Sequence, residues 1–102
     1  MLDKLTKDDF AGQIGEPFNV HYGSEVPLAA ELVEVTGYAA GPRATGATIR
    51  REPFSLVFRG PRAPVLPQRI YTLEHDAFGR LELFIVPIGP DATGMRYQVV
   101  FN

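Results

Sequence analysis

The chain has 102 residues, a length typical of one domain with a single hydrophobic core. Its net charge of −2 gives no reason to expect a nucleic-acid or membrane partner, and the absence of cysteine excludes disulfides, thiolate nucleophiles and zinc ribbons. The sequence shows neither a signal-like N-terminal segment nor an apolar run long enough for a membrane helix, so we expect a soluble, cytoplasmic protein.

The charges are unevenly distributed along the chain. Residues 1–36 contain two Lys against seven acidic residues, whereas residues 37–80 contain seven Arg against three acidic residues. The two segments can simply lie side by side in a folded β domain. The asymmetry could also mark complementary surfaces on neighbouring copies, or an anionic partner.

The N-terminal segment predicts one short helix, at about residues 7–13. Thr6 is a suitable N-cap, and Asp9 three residues later completes a capping box. Gly12 and Gly15 are expected to end the helix. Three apolar residues would anchor it as a lid on one end of the core: Leu5, Phe10 and Ile14.

After Gly15 the pattern predicts β structure, because short runs of aromatic and β-branched residues are separated by Gly and Pro. In the second run, Val33 and Val35 are expected to face one side and Glu34 the other. We expect one mainly β domain, a small antiparallel barrel or sandwich with the short N-terminal helix. Its predicted strands, about six in number, lie near residues 18–22, 28–36, 54–59, 70–75, 80–88 and 95–101.

Two predicted connections are long, residues 37–52 and 60–68. Long loops inside compact domains are often functional, so they are candidates for a binding surface. A coding bias toward Arg would explain their arginines equally well. Arginine nonetheless binds phosphate and carboxylate bidentately, and the candidates in or beside these loops are Arg43, Arg50, Arg51, Arg59 and Arg62.

Residues 73–79 read LEHDAFG, a histidine between two carboxylates. A three-residue loop, 77–79, would form a type I turn followed by a left-handed glycine, with Asp76 at the favoured first position. Adjacent strand residues point to opposite faces, so Glu74 and His75 would not act as one cluster. The segment therefore predicts a hairpin tip with His75 at the edge of the core. A catalytic or metal-binding role for the histidine is the alternative.

The apolar pattern also predicts the register of this hairpin and the next. Pairing Leu73 with Leu83 places Glu74 directly opposite Glu82, and two close carboxylates can share a proton or bind a divalent cation. Neutralisation by a neighbouring arginine is the alternative. In the next hairpin, the same apolar face would continue with Ile85 opposite Val99 and Leu83 opposite Phe101.

Three segments carry a family resemblance: FSLVFRGP at 54–61, LPQRIYTLEH at 66–75 and FGRLELFIVPIG at 78–89, with VFN at the end of the chain. They resemble a family of small bacterial domains of unknown function that are often encoded near phage-tail-collar-like proteins. Where that family commonly has Gly after Leu-Pro-Gln, this chain has Arg69. The resemblance implies a small β domain and a tail-like setting, and it brings no catalytic residues.

These observations predict a non-enzymatic protein-interaction or structural module. The setting that the resemblance suggests is an accessory role in a phage-tail-like or fibre assembly. Its partner would be a protein, either a second copy or a tail- or fibre-like component, and neither a cofactor nor a metal is predicted. The candidate binding residues are Arg43, Arg50, Arg51 and Arg62. The alternative is a small-ligand-binding barrel or a hydrolase that uses Glu74, Glu82 or a histidine, His21 or His75.

Overall fold

Alternating apolar residues build a closed sheet in the computed structural model, which describes residues 5–37 and 53–101. The described strands join in the order β1-β2-β3-β6-β5-β4, and β4 closes the barrel on β1. The predicted fold, mainly β with about six antiparallel strands and a short N-terminal helix, is confirmed as a barrel. The elements are α1 Lys7–Ala11, β1 Pro17–His21, β2 Leu28–Gly37, β3 Phe54–Gly60, β4 Arg69–His75, β5 Gly79–Pro90 and β6 Met95–Phe101.

The barrel interior is filled by the inward-facing side chain of every second strand residue. Leu81, Leu83 and Ile85 of β5 show the pattern, since all three are buried while Glu82 and Phe84 between them are exposed. The last strand belongs to the core, as predicted: Met95, Tyr97, Val99 and Phe101 are also buried. Closure pairs each described strand on both sides, so the sheet has no free edge.

Helix α1 covers one end of this core. Its start matches the prediction, because the Asp9 carboxylate accepts the Thr6 backbone N–H at 2.8 Å. Phe10 is fully buried against Phe54 and Phe101, with ring centroids 5.8 and 5.5 Å away. The helix ends at Ala11, sooner than predicted. Ile14 therefore lies beyond it with half of its surface exposed, and the prediction that it anchors the helix is wrong.

A β-bulge in β2 corrects one predicted orientation. Leu32 pairs with Phe58 and Glu34 pairs with Val57, which leaves Val33 as the extra residue between them. Leu32 is fully buried, Val33 only partly, and Val35 packs against the core. Val33 and Val35 thus do not continue one face, because a bulge shifts the alternation by one residue.

The β4–β5 hairpin has a different register from the predicted one. Leu73 lies opposite Leu81, and Glu74 lies opposite Arg80 rather than Glu82. The loop still has three residues, but it covers 76–78, one residue earlier than predicted. The shift moves the pairing by two positions in total, so each side chain keeps its expected face.

Contacts of His75 explain where the turn forms. Its carbonyl accepts the Phe78 N–H at 3.2 Å, and its Nδ1 accepts the Ala77 N–H at 3.0 Å. His75 therefore takes the first turn position that the sequence assigned to Asp76. Gly79 follows with φ +70°, the left-handed conformation that favours glycine.

The β5–β6 hairpin keeps its predicted register near its middle. Val86 pairs with Gln98 and Pro87 with Tyr97, the same alignment that was predicted for the neighbouring positions. A second bulge then follows between Pro87 and Gly89. This bulge makes Gly89 the residue opposite Arg96.

The connection between β3 and β4 is tied to the core. Leu66 is buried, and its N–H donates to the Tyr97 hydroxyl at 2.9 Å. The Tyr71 hydroxyl donates to the Pro67 carbonyl at 2.5 Å. The loop predicted as a binding surface is thus held by two core tyrosines at its C-terminal half.

Candidate functional site

The LEHDAFG segment lines an open surface cavity of about 350 Å³ at the meeting of β1, β4 and the β4–β5 turn. Glu74 is on the outward side of β4, and it is placed there because Leu73 and Tyr71 fill the interior. The described residues that line the cavity are Asn19, Glu74, His75, Asp76 and Gly79. Glu82 is not among them, since it lies further along β5 opposite Thr72.

Glu74 is already engaged on two sides. Closure of the barrel sets β1 beside β4, and this brings His21 Nε2 to 2.5 Å from Glu74 Oε1. Arg80 Nε lies 3.6 Å from the other Glu74 oxygen. The predicted Glu74–Glu82 pair is therefore not formed. The alternative that the sequence left open, an arginine beside Glu74, is what the structure has.

His75 lies on the other side of the strand from Glu74. Its side chain is almost fully buried, stacked on Phe18 with ring centroids 4.3 Å apart. The predicted core-edge histidine is confirmed, and its turn contact accounts for its polar Nδ1. Because His21 faces outward and His75 inward, the two imidazoles do not converge. Within the described ranges, no group of three or more acidic, His or Cys side chains is arranged to hold a metal ion.

A second polar cluster forms at the opposite turn, where Asp91 organises the β5–β6 connection. Asp91 Oδ1 accepts the backbone N–H groups of Thr93 and Gly94, both at 2.9 Å. Its Oδ2 accepts from Arg59 Nε at 2.9 Å, and Arg59 Nη2 lies 2.7 Å from the same oxygen. The carboxylate thus ties the turn to the end of β3.

Arg62 reinforces the same turn. Its Nη2 donates to the carbonyls of Asp91 and Ala92, at 2.9 and 3.2 Å. The structure therefore gives Arg62 a local structural role, and its predicted role in partner binding stays a prediction. The other three candidate arginines, Arg43, Arg50 and Arg51, lie outside the described residues.

The electrostatics of this turn make the stability of the fold depend on pH. The Arg59 hydrogen bond, followed by the Thr93 N–H, holds the pKa of Asp91 well below its usual range, and Asp91 in turn raises the pKa of Arg59. A carboxyl group with a lower pKa in the folded state binds fewer protons there than in the unfolded state. Its stabilisation is therefore present at neutral pH and is lost as the pH falls.

We expect Asp91→Asn to flatten the acid dependence of stability. In the unchanged chain, the urea midpoint should fall progressively once the pH drops below about 3.9, the pKa of an unfolded Asp. The variant should be less stable at pH 7 and should lose less on acidification. Circular dichroism during urea unfolding across a pH series measures both. Asp8→Asn in α1 is the charge-matched control, and an acid dependence that Asp91→Asn leaves unchanged would contradict the assignment.

An apolar surface on the outside of β4 and β5 is a third candidate site, which we call the outer apolar face. Ile70 and Phe84 lie directly opposite each other on outward positions, 64% and 49% exposed. Val100 is 52% exposed on the outward side of β6. Val86 lies opposite Gln98 in the antiparallel β5–β6 pair. Phe84, two residues before Val86, and Val100, two residues after Gln98, are therefore neighbours on the outward side.

Sequence reasoning missed this outer apolar face, although its signal was visible. Ile70 and Phe84 break the alternation, because each adds an apolar residue at a position where the strand pattern expects a polar one. Their neighbours Tyr71 and Ile85 fill the interior, so Ile70 and Phe84 face outward. Only the register of β4 and β5 shows that Ile70 and Phe84 lie opposite each other.

No helix of the described residues has the length and apolar character needed to span a bilayer. One family model matches residues 5–101, and its description is "Domain of unknown function (DUF6916)". Neither a curated protein nor a solved structure gave a significant match. The match extends over the helix and the six strands of the described residues.

Proposed function

The chain belongs to this family of domains of unknown function, and we propose that it is a non-enzymatic structural module that associates with other copies of itself. The setting we propose is a phage-tail-like or fibre assembly, in which repeated contacts between subunits are required. The contact surface is the outer apolar face.

The observation that carries this proposal is the exposed pair formed by Ile70 and Phe84. Single exposed apolar residues are normal on protein surfaces, whereas adjacent large ones mark interaction sites. Aromatic side chains at the centre of a patch commonly supply much of the binding energy of an interface. A closed barrel offers no strand edge, so a second copy must dock on a face.

The charges beside the pair favour a second copy over a strongly charged partner. Arg80 and Glu82 are exposed outward residues two positions apart on β5, so the rim carries both signs. A copy related by a two-fold axis presents the same two charges and can match each with its opposite. The net charge of −2 adds little repulsion between copies.

We expect the double variant Ile70→Thr, Phe84→Ser to abolish self-association. Light scattering of the unchanged chain should show a mass that rises with protein concentration, because dilution dissociates the contact. The double variant should keep the monomer mass over the same range, since the apolar centre of the contact is removed.

Val26→Ser is the matched control, since Val26 is 71% exposed between β1 and β2 and belongs to no such pair. It should associate as the unchanged chain does. Equal association of the double variant and the unchanged chain would reject the outer apolar face as the contact.

The alternative function, a small-ligand-binding barrel or hydrolase, is supported by the cavity beside Glu74. Its proposed carboxylate pair is not formed, and the two Glu74 oxygens already lie beside His21 and Arg80. We therefore rank it second. A chain that stays monomeric at every concentration would favour this alternative over the structural module.

A further inference from the structure

Arg96 is a cation without an acceptor in the part of the chain that the structure describes. Its Nε is buried and has no hydrogen-bond partner among residues 5–37 and 53–101. None of the salt bridges between described residues involves it. A charged donor that is removed from water and left unpaired costs free energy, so Arg96 marks a place where an acceptor would stabilise the fold.

The neighbours of Arg96 strengthen this requirement. The register of β3 and β6 sets Arg59 directly opposite Arg96, on the outward face. Like charges at directly opposite positions repel each other. An anion between or above the two guanidinium groups would convert that repulsion into attraction for both.

Nearby carboxylates leave this cation pair only partly balanced. Asp91 pairs with Arg59, and Glu31 lies opposite Arg59 on its other side, on β2. Arg62 adds a third positive charge, which its hydrogen bonds to backbone carbonyls do not neutralise. Of these three arginines, Arg59 forms a salt bridge with Asp91, and Arg96 forms none with any described residue.

The β5 side of Arg96 provides space. The residue opposite it there is Gly89, which has no side chain, and a Cβ placed on Gly89 would meet no heavy atom within 4 Å. The bulge at Ile88 is what sets a glycine at this position. Gln98, the next outward residue on β6, can supply an amide donor to the same region.

We infer that Arg96, with Arg59 beside it, forms an oxyanion-binding site on the outer wall of the barrel. The ligand chemistry is a carboxylate or phosphate group, because a guanidinium presents parallel N–H donors that match two oxygens. The group could belong to a free small anion or to an acidic side chain of another protein. The site does not depend on the self-association proposed above, since it uses neither Ile70 nor Phe84.

Nitrogen-15 spectra of the arginine side chains test the site directly. Inorganic phosphate and acetate are the free-anion probes, and a short peptide rich in Asp and Glu is the side-chain probe. Sodium chloride at matched ionic strength corrects for screening. We expect the Arg96 Nε–H signal to shift with saturation, while the Arg69 signal at the end of the barrel does not.

Two substitutions separate charge from geometry. Arg96→Gln should remove the saturable phosphate binding, and Arg96→Lys should weaken it roughly tenfold or more, because the charge is kept but the paired donors are lost. Arg69→Gln is the matched control and should bind as the unchanged chain does. Circular dichroism confirms that each variant is folded before it is titrated.

The outcomes distinguish the two sources of the group. Saturation by phosphate or acetate at lower concentration than by the peptide carboxylates assigns a free anion, and the reverse order assigns an acidic side chain. Shifts that rise linearly with all probes and equal those in sodium chloride would overturn the site. Unchanged phosphate binding by folded Arg96→Gln would overturn it as well.

Discussion

Replacing Phe10 by alanine is expected to lower the free energy of unfolding by about 3–5 kcal/mol. Phe10 is fully buried and is the residue through which α1 closes one end of the barrel. Its ring stacks on Phe78 at 4.5 Å and also meets Phe54 and Phe101. Alanine would leave a cavity among three aromatic rings from three separate segments, which cannot collapse without moving the sheet.

Urea unfolding followed by circular dichroism measures this loss. The matched control is Ile14→Ala, an apolar truncation just beyond the same helix, where half of the side chain is exposed. It should change stability by no more than about 1 kcal/mol. Similar decreases in the free energy of unfolding for the two variants would contradict the claim that the buried Phe10 ring stabilises the helix-covered end of the barrel.

Gly94→Ala is expected to destabilise the chain by about 3 kcal/mol, the upper part of the range for an added methyl group in a packed site. A Cβ on Gly94 would collide with the Gly60 carbonyl oxygen, and it would lie 3.0 Å from Arg59 Cγ. The Gly60 backbone cannot move away cheaply, because Gly60 pairs with Met95 in the β3–β6 ladder. The strain would reach the turn as well, since Gly94 N–H donates to Asp91.

Gly12→Ala is the matched control for this prediction. Gly12 has φ −75°, and a Cβ there would meet no heavy atom within 4 Å. Alanine should be neutral, or stabilising by up to about 1 kcal/mol, because it restricts the unfolded chain. Thermal and urea unfolding of both variants measure the difference, and a Gly94→Ala chain as stable as Gly12→Ala would contradict the steric argument.

The structure moves the candidate anion-binding arginine from the loops to a strand. The sequence directed attention to loop arginines, of which Arg62 is described and is bound to the Asp91 turn. The unpaired cation instead lies on a strand, at Arg96. A strand arginine looks like an ordinary exposed residue in the sequence, because its environment depends on which strand lies beside it.

The local elements are encoded in short stretches of the sequence. Thr6 and Asp9 specify the start of α1 through contacts three residues apart, and alternation specifies the faces of the strands. The β4–β5 register was predicted with the right faces and the wrong partners. Registers that differ by an even number of positions bury the same side chains, so the hydrophobic pattern does not distinguish them.

Which strands meet, and therefore which polar side chains share a site, depends on the closure of the whole barrel. Closure of β4 on β1 brings His21 to Glu74 across 53 residues of sequence, and the β3–β6 pairing sets Arg59 opposite Arg96. Nothing in a single strand's alternation specifies its neighbours, because every amphipathic strand presents the same apolar face to a common core. The local chemistry of helix caps and turns is encoded over a few residues. The sites arise from long-range pairing, which depends on the packing of the whole barrel.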